Sequence, residues 1–491
     1  MAPILRTRLT PSYEISRVIK GGWQLAGDHG PIDPDVANRD MAAFVEAGIT
    51  TFDCADIYTG VEAMIGSFRV RNPQLGAQIQ VHTKFVPDLA ELDRIDAEYV
   101  ERIVDRSLQR LHTDRLDLVQ FHWWNYAVPR YVEAEMALAR LAVKGKIAHI
   151  GVTNFDVPRL MELLDAGVPV VAHQLQYSLL DARALNGMVQ ACKARGIGLL
   201  CYGTVAGGFL SDRWLARPEP GRGFRNRSLT KYKLIIDDFG GWELFQELLH
   251  TLRDIANKHS CDIATVASRA MLQREAVAAV IVGATNASHL PSNTQIGTVE
   301  LDSADLAKIA AVTRRHAGPE GDVFTLERDR QGRHGRIMKY DLNTGAPLAP
   351  GLPSSGLGVA AARPDVLVEM FVWWNAAYRQ KDGFTEAAFS KYFTEDAILR
   401  VNGSDRSKGL RDLTAHFRAI QARSEMVEIE LPFIDEFTSA SGDRIFTHHL
   451  VKAREKGQDS RERVMGYAAI RDGRISLINF VGVPDATIAP Q

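Results

Sequence analysis

Over residues 1–300 the chain alternates short apolar runs with helical patterns, and that alternation constrains the fold more than any other feature. The runs are VIKGGWQ (18–24), TTFDCA (50–55), IQVHTKF (79–85), LDLVQFH (116–122), AHIGVTN (148–154), VVAHQLQ (170–176), GLLCYG (198–203) and AVIVGA (279–284). Between them lie segments such as DPDVANRDMAAFVEAG and VERIVDRSLQRL, whose apolar residues recur every three or four positions. Strand signals separated by helices build a parallel sheet with the helices outside it. Eight such units are the number that closes a (β/α)8 barrel of about 250 residues or more. An open doubly wound sheet that binds a dinucleotide normally carries G-x-G-x-x-G after its first strand, and none follows VIKGGWQ. The sequence therefore predicts a TIM barrel.

From Glu327 the texture changes. ERDRQGRHGRIMKYDLN is polar and mildly basic, and NTGAPLAPGLPSSGLG has the composition of a linker. The basic stretch reads as a solvated connector, with a lid over the barrel mouth as the alternative. Beyond Ala361 two helical segments (365–380 and 385–393) precede a strand AILRVN, a helix (409–423) and four extended runs, the last two flanking Arg471-Asp472-Gly473, a hairpin signal. Helices followed by a strand meander predict an α+β domain with a curved antiparallel sheet. The expected organisation is a barrel over 1–345, a linker over 346–360 and a smaller domain over 361–491.

Composition removes several function classes. The 58 Lys and Arg balance 60 Asp and Glu, leaving a net charge of −2 and no field to recruit nucleic acid or an anionic membrane. Cys54, Cys192, Cys201 and Cys261 show no C-x-x-C spacing, so reduced thiols are expected rather than a disulfide framework or a zinc site. The first twenty residues lack a continuous apolar stretch, and the strongest apolar run (276–284) is too short to span a bilayer. These features predict a cytoplasmic protein without a metal.

Working residues of such barrels cluster at the C-terminal ends of the strands. There the second run ends at Asp53 and leads to Tyr58, the third ends near Lys84 and the fourth at His122. A phenol is a poor acid at neutral pH, but a neighbouring ammonium favours the phenolate and makes it a usable proton donor. A carboxylate would hold that ammonium, and an imidazole would hydrogen-bond a substrate carbonyl. Trp123 and Trp124 follow His122 and read as an aromatic wall of a substrate pocket.

These blocks resemble the aldo-keto reductase superfamily. FDCADIYTGVEAMIG matches its D-x-A-x-x-Y block, VHTKF and DLVQFH its Lys and His strands, and GKIAHIGVTNF its G-x-S/T-N-F block. The resemblance covers about residues 1–345. It implies Tyr58 as general acid, Lys84 as its partner, Asp53 as the anchor of Lys84 and His122 as the group that orients the carbonyl. It also implies a nicotinamide cofactor held by Gly22, Trp23, Thr153, Asn154, Gln174, Tyr202 and Gly203, with Tyr202 stacking on the ring. Gln176, two places from Gln174, competes for that role. At the phosphate end the resemblance implies Gly283, Thr285, His289 and Asn293. Many members grip the 2′-phosphate of NADP(H) with Lys or Arg in this block, whereas IVGATNASHLPSN has neither. NADP(H) is the cofactor implied by the family, with NAD(H) as the alternative. The basic segment 213–236, with Arg222, Arg225, Arg227, Lys231 and Lys233, reads as a solvated loop, or else as a site for an anionic substrate or a clasp for the cofactor pyrophosphate.

The later residues resemble the SnoaL-like, polyketide-cyclase type of cone-shaped fold, on FSKYFTEDAILRVNG and the G-L-x-x-L-x-x-H-F helix. Its pocket would be lined by Trp374, Tyr378, Asn402, His416, His448, Arg463 and Tyr467, with one of His448 and His449 facing inward. The combined reading is an NAD(P)H-dependent reductase of a small-molecule aldehyde or ketone, with a possible homodimer through the second domain. The alternatives are a non-enzymatic, cofactor-bound redox-sensing subunit, or a bifunctional enzyme whose second domain dehydrates, isomerises or cyclises a substrate.

Overall fold

The computed structural model describes residues 4–26, 32–221, 224, 226–283, 286–343, 366–431, 433–438 and 443–484. The expected linker, 346–360, lies outside them. The chain divides into two compact units, Met1–Ala346 and Pro347–Gln491.

The first unit opens with an antiparallel hairpin, β1 (Arg6–Thr10) and β2 (Tyr13–Ser16). Eight parallel strands then close a barrel: β3 (Val18–Gly21), β4 (Thr51–Asp53), β5 (Gln80–Phe85), β6 (Leu116–Phe121), β7 (Ile147–Thr153), β8 (Val170–Gln176), β9 (Gly198–Tyr202) and β10 (Val277–Gly283), with β10 pairing both β3 and β9. Each expected run forms its strand. The runs read as nearly continuous apolar stretches because both faces of each strand are covered, by the barrel interior and by the outer helices. Aspartates start several of those helices: Asp33, Asp96, Asp156 and Asp262 each accept backbone N–H groups of the first turn, worth about 1 kcal/mol apiece.

The hairpin, which the sequence reading did not anticipate, closes the barrel at the strands' N-terminal ends. Leu9 lies so near Gly198, the first residue of β9, that a Cβ there would stand 2.6 Å from the leucine. Tyr13 stacks on His149 at 4.3 Å and its hydroxyl meets His82 Nε2 at 3.0 Å.

Two basic segments are not solvated connectors. Residues 227–239 form a helix capped by Asn226, with Lys233, Ile235, Ile236 and Phe239 buried; Arg222 and Arg225 lie outside the described residues. The stretch after Glu327 packs on the barrel mouth. Glu327 is fully buried and takes both guanidinium ends of Arg183, while Arg328 donates to the carbonyls of Trp123 and Asn154. Polar composition misled here because the charges are spent on partners from distant parts of the chain.

The second unit holds helices Val366–Tyr378, Glu386–Phe389 and Leu410–Arg423 and strands β11 (Phe393–Val401), β12 (Ser404–Lys408), β13 (Met426–Ile429), β14 (Asp435–Thr438), β15 (Arg444–Glu455), β16 (Gln458–Arg471) and β17 (Arg474–Pro484). The sheet runs β12-β11-β17-β16-β15-β13, with β14 also on β15. It is mixed rather than antiparallel, because β11 runs parallel to β17. Asp472-Gly473 forms the expected two-residue turn with both φ positive, and Asn402-Gly403 makes a second one between β11 and β12.

The expected pocket residues do not gather. Trp374 stacks on Tyr378 inside an aromatic core with Phe384 and Phe417. Asn402 serves its turn by accepting from the Gly482 N–H at 2.9 Å, and His416 sits edge-on to Phe417. Arg463 and Tyr467 alternate with the buried Val464 and Ala468, and so lie on the opposite face of β16. His448, paired with Met465, meets Arg463 there. His449 is the inward member of its pair, packed against Phe371 and Phe433.

Candidate active site

The C-terminal ends of the barrel strands open into one cavity of about 900 Å³ lined by Asp53, Tyr58, Lys84 and His122 together. Strand geometry brings them there: Asp53 ends β4, Lys84 is the penultimate residue of β5 and His122 directly follows β6. Lys84 Nζ lies 2.8 Å from both Asp53 oxygens and donates to the Cys54 carbonyl at 2.7 Å. Asp53 also accepts from Gln174 at 2.6 Å and Gln120 at 3.3 Å, so three side chains fix its Oδ1. Gln120 was not singled out from the sequence, although its place two residues before His122 puts it on the same strand face.

Burial alone would lower the Lys84 pKa, but Asp53 and Tyr58 outweigh it and hold the ammonium above the ordinary lysine value. The Tyr58 ring lies 5.1 Å from that ammonium. Burial nevertheless pushes the phenol up to about 12, with Lys84 opposing and Asp53 adding. The expected net lowering of the Tyr58 pKa is therefore corrected: desolvation exceeds the pull of an ammonium whose charge is shared with Asp53. Tyr58 is held as a neutral, protonated phenol.

His122 is fixed by its other nitrogen. Nδ1 lies 3.2 Å from the Thr153 carbonyl, which only accepts, so Nδ1 carries the proton and Nε2 presents a lone pair. Burial, then Arg328, lowers its pKa to about 3, so the ring is neutral. Nε2 is buried and has no partner. This tautomer accepts a hydrogen bond; it does not donate one to a carbonyl, as the sequence reading expected.

Of the other residues, Trp23, Thr153, Asn154, Gln174, Tyr202, Gly203, Gly283, His289 and Asn293 all line the cavity. Tyr202 donates to Asn154 Oδ1 at 2.8 Å, and Asn154 holds a left-handed backbone. Trp23 stands edge-on to Tyr58 at 5.0 Å and donates to Ser228. Gln176 turns to Asp181 at 2.7 Å, and of the two only Gln174 lines the cavity. Gly22 is structural: its N–H donates to the Asp53 carbonyl, and a Cβ would come within 2.7 Å of that oxygen. Trp123 is core, not wall, since it is fully buried and donates to the Asn125 and Val128 carbonyls. Trp124 does line the cavity, with its indole N–H on the Pro87 carbonyl. Thr285 lies outside the described residues.

Phe324 and Asp262 are among the cavity residues that were missed. Phe324, in a left-handed conformation, sets its ring edge-on to His122 at 5.3 Å. Asp262, the cap of helix Ile263–Leu272, lies beside Ser292, whose hydroxyl it accepts. Burial would raise the Asp262 pKa, but hydrogen bonds from Ser292 and Thr265 outweigh it and hold the carboxyl below its ordinary value.

The four cysteines are free, no cluster of metal-ligating side chains occurs among the described residues, and no helix among them is long and apolar enough to cross a membrane.

Residues 17–314 match the aldo/keto reductase family. The chain is 30% identical over 246 residues to Protein tas of Escherichia coli, covering 46% of this chain and 69% of that protein. It is 24% identical over 318 residues to the NADH-specific methylglyoxal reductase of E. coli, covering 60% and 94%. It is 29% identical over 219 residues to the 6-dehydroglucose reductase of Agrobacterium fabrum, covering 42% and 73%. The fold is shared with a crystal structure of a thermostable aldo-keto reductase in complex with the inhibitor epalrestat, at TM-score 0.50 and 23% identity, over 63% of this chain and 100% of that one. The family's nicotinamide cofactor fits the residues present. The buried Asn293 Nδ2 and His122 Nε2, both without partners, belong to residues that line one cavity, as a ligand spanning it requires.

Proposed function

The chain belongs to the aldo/keto reductase family of oxidoreductases, and from that premise we propose that its barrel reduces an aldehyde or ketone to an alcohol, with Tyr58 as the proton donor. The observation that carries this reading is the buried Lys84 held at 2.8 Å by Asp53 beneath the Tyr58 ring. A bound nicotinamide supplies the hydride. Thr153, Asn154, Gln174 and Tyr202 are the residues that would hold its ring end.

The chain's own part is proton supply and orientation. Tyr58, neutral at every physiological pH, offers its O–H to the carbonyl oxygen as negative charge develops there. Lys84 stabilises the phenolate left behind, and Asp53 keeps Lys84 charged and still. The Nε2 lone pair of His122, without a partner among the described residues, is the acceptor that orients the product by a hydrogen bond from its hydroxyl, leaving Tyr58 as the donor to the substrate.

NAD(H) is the better supported cofactor at the far end of the cavity. Asp262, Ser292, Asn293 and His289 line it there, and the block 281–293 has no permanent cation. An anionic carboxylate repels a 2′-phosphate and suits a free ribose hydroxyl. A relative bearing the name NADH-specific methylglyoxal reductase is consistent with this choice.

For the second unit, the order of two helices, two strands, a helix and five strands supports the SnoaL-like reading. Its tightly packed aromatic interior favours a structural role over a catalytic one. The test of the main reading is oxidation of NADH or NADPH by a panel of aldehydes and ketones, run alongside Tyr58→Phe.

A further inference from the structure

Lys231 is an ammonium that its surroundings leave without a hydrogen bond. It lies on helix Arg227–Phe239, its side chain is 15% exposed, and it lines the same cavity as Tyr58 and His122. Three rings surround its Nζ: Tyr202 at 5.0 Å, Phe324 at 5.7 Å and Tyr232 at 5.8 Å. The nearest acid is Glu327 at 3.8 Å, beyond hydrogen-bond reach. Glu327 is already committed, because each of its oxygens accepts from Arg183, at 2.9 and 3.1 Å. Lys231 donates to no described residue.

Buried charges are normally both paired and hydrogen-bonded, because desolvation is too costly otherwise. Burial lowers the Lys231 pKa and Glu327 only partly opposes this. Such an ammonium, open to a cavity, finds no hydrogen-bond acceptor among the described residues. Its position ties it to the reacting end of the cavity. Phe324 packs edge-on to His122 at 5.3 Å, and Lys231 Nζ lies 5.7 Å from the same ring, so the ammonium and the imidazole share one aromatic neighbour. Arg328, 5.3 Å from that ring, adds positive charge to the same wall.

We infer that the barrel's substrate carries an anionic oxygen group, a carboxylate or a phosphate, besides its carbonyl, and that Lys231 receives it. The inference rests on the carbonyl-reductase reading and names the substrate class of that site.

The experiment uses the full chain with NADH and with NADPH, and two matched pairs: 4-carboxybenzaldehyde against benzaldehyde, and glyceraldehyde 3-phosphate against glyceraldehyde. An ammonium freshly paired with an anion predicts a kcat/KM advantage of about tenfold or more for the charged member of at least one pair. Which pair shows it identifies the anionic group. The advantage resides in KM, collapses in Lys231→Met and is largely kept in Lys231→Arg. Equal kcat/KM within both pairs, or an advantage that survives Lys231→Met, overturns the inference. If none of the four compounds is reduced, the reductase reading fails separately, and benzoate and inorganic phosphate binding, followed by tryptophan fluorescence, decides the Lys231 site. Binding of either anion weakened about tenfold or more by Lys231→Met supports the site, and unchanged or undetectable binding of both overturns it.

Discussion

Lys84 and Asp53 form a buried ion pair at the barrel mouth, with Nζ 2.8 Å from each carboxylate oxygen and both side chains almost wholly buried. Two further donors, Gln120 and Gln174, reach the same carboxylate, so the pair is a fixed piece of the structure as well as the support of Tyr58.

Breaking that pair from one side has two separable consequences. Lys84→Met leaves Asp53 as a buried anion without its cation and lowers stability by about 3 kcal/mol or more. Adding Asp53→Asn removes the stranded charge and restores part of that loss, read from denaturant midpoints. Turnover is not restored, since neither variant supplies the ammonium, and recovery of both together would contradict the role given to Lys84.

The reduction rate should be flat with pH. Tyr58 is pushed up to about 12 and His122 down to about 3. Above pH 3 the imidazole stays neutral, and below pH 12 the phenol keeps its proton, so neither ionises between about pH 5 and 9. The measurement is kcat at saturating aldehyde and cofactor across that range. A bell centred near neutrality would mean that one of these groups titrates there.

Cofactor choice is testable without turnover. ADP-ribose should bind about tenfold or more tightly than its 2′-phosphorylated form, because Asp262, held below its ordinary carboxyl value, lines the end of the cavity proposed for the ribose. Asp262→Asn should narrow that ratio by strengthening the phosphorylated ligand. Calorimetry that finds the 2′-phosphate form the tighter one would remove Asp262 from the account.

The barrel could be read from the sequence because each strand is an apolar run buried on both faces, and the four rim residues stand at the ends of those runs. The same period could have separated the two tryptophans: His122 and Trp124 line the cavity, while the intervening Trp123 is fully buried in the core. Asn402-Gly403 carried the same turn chemistry as Asp472-Gly473 and was equally readable. Other features were not local. Phe324 reaches both Lys231 and His122 only because the stretch around Glu327 folds back through Arg183, and Asp262 meets Ser292 across 30 positions of chain. The upward shift of Tyr58 likewise depends on the neighbours that surround it in the folded barrel, Trp23 and Lys84 among them. The parallel pairing of β11 with β17 joins the two ends of the second unit, which element order alone does not reveal.

The most direct test of the central claim is single-turnover reduction by the full chain loaded with reduced nicotinamide, comparing wild type with Tyr58→Phe. The account predicts that the variant binds cofactor as wild type does but loses about 100-fold or more of the reduction rate, the usual scale for a general acid. Equal rates in the two proteins would contradict it, and would place the proton donor elsewhere in the cavity.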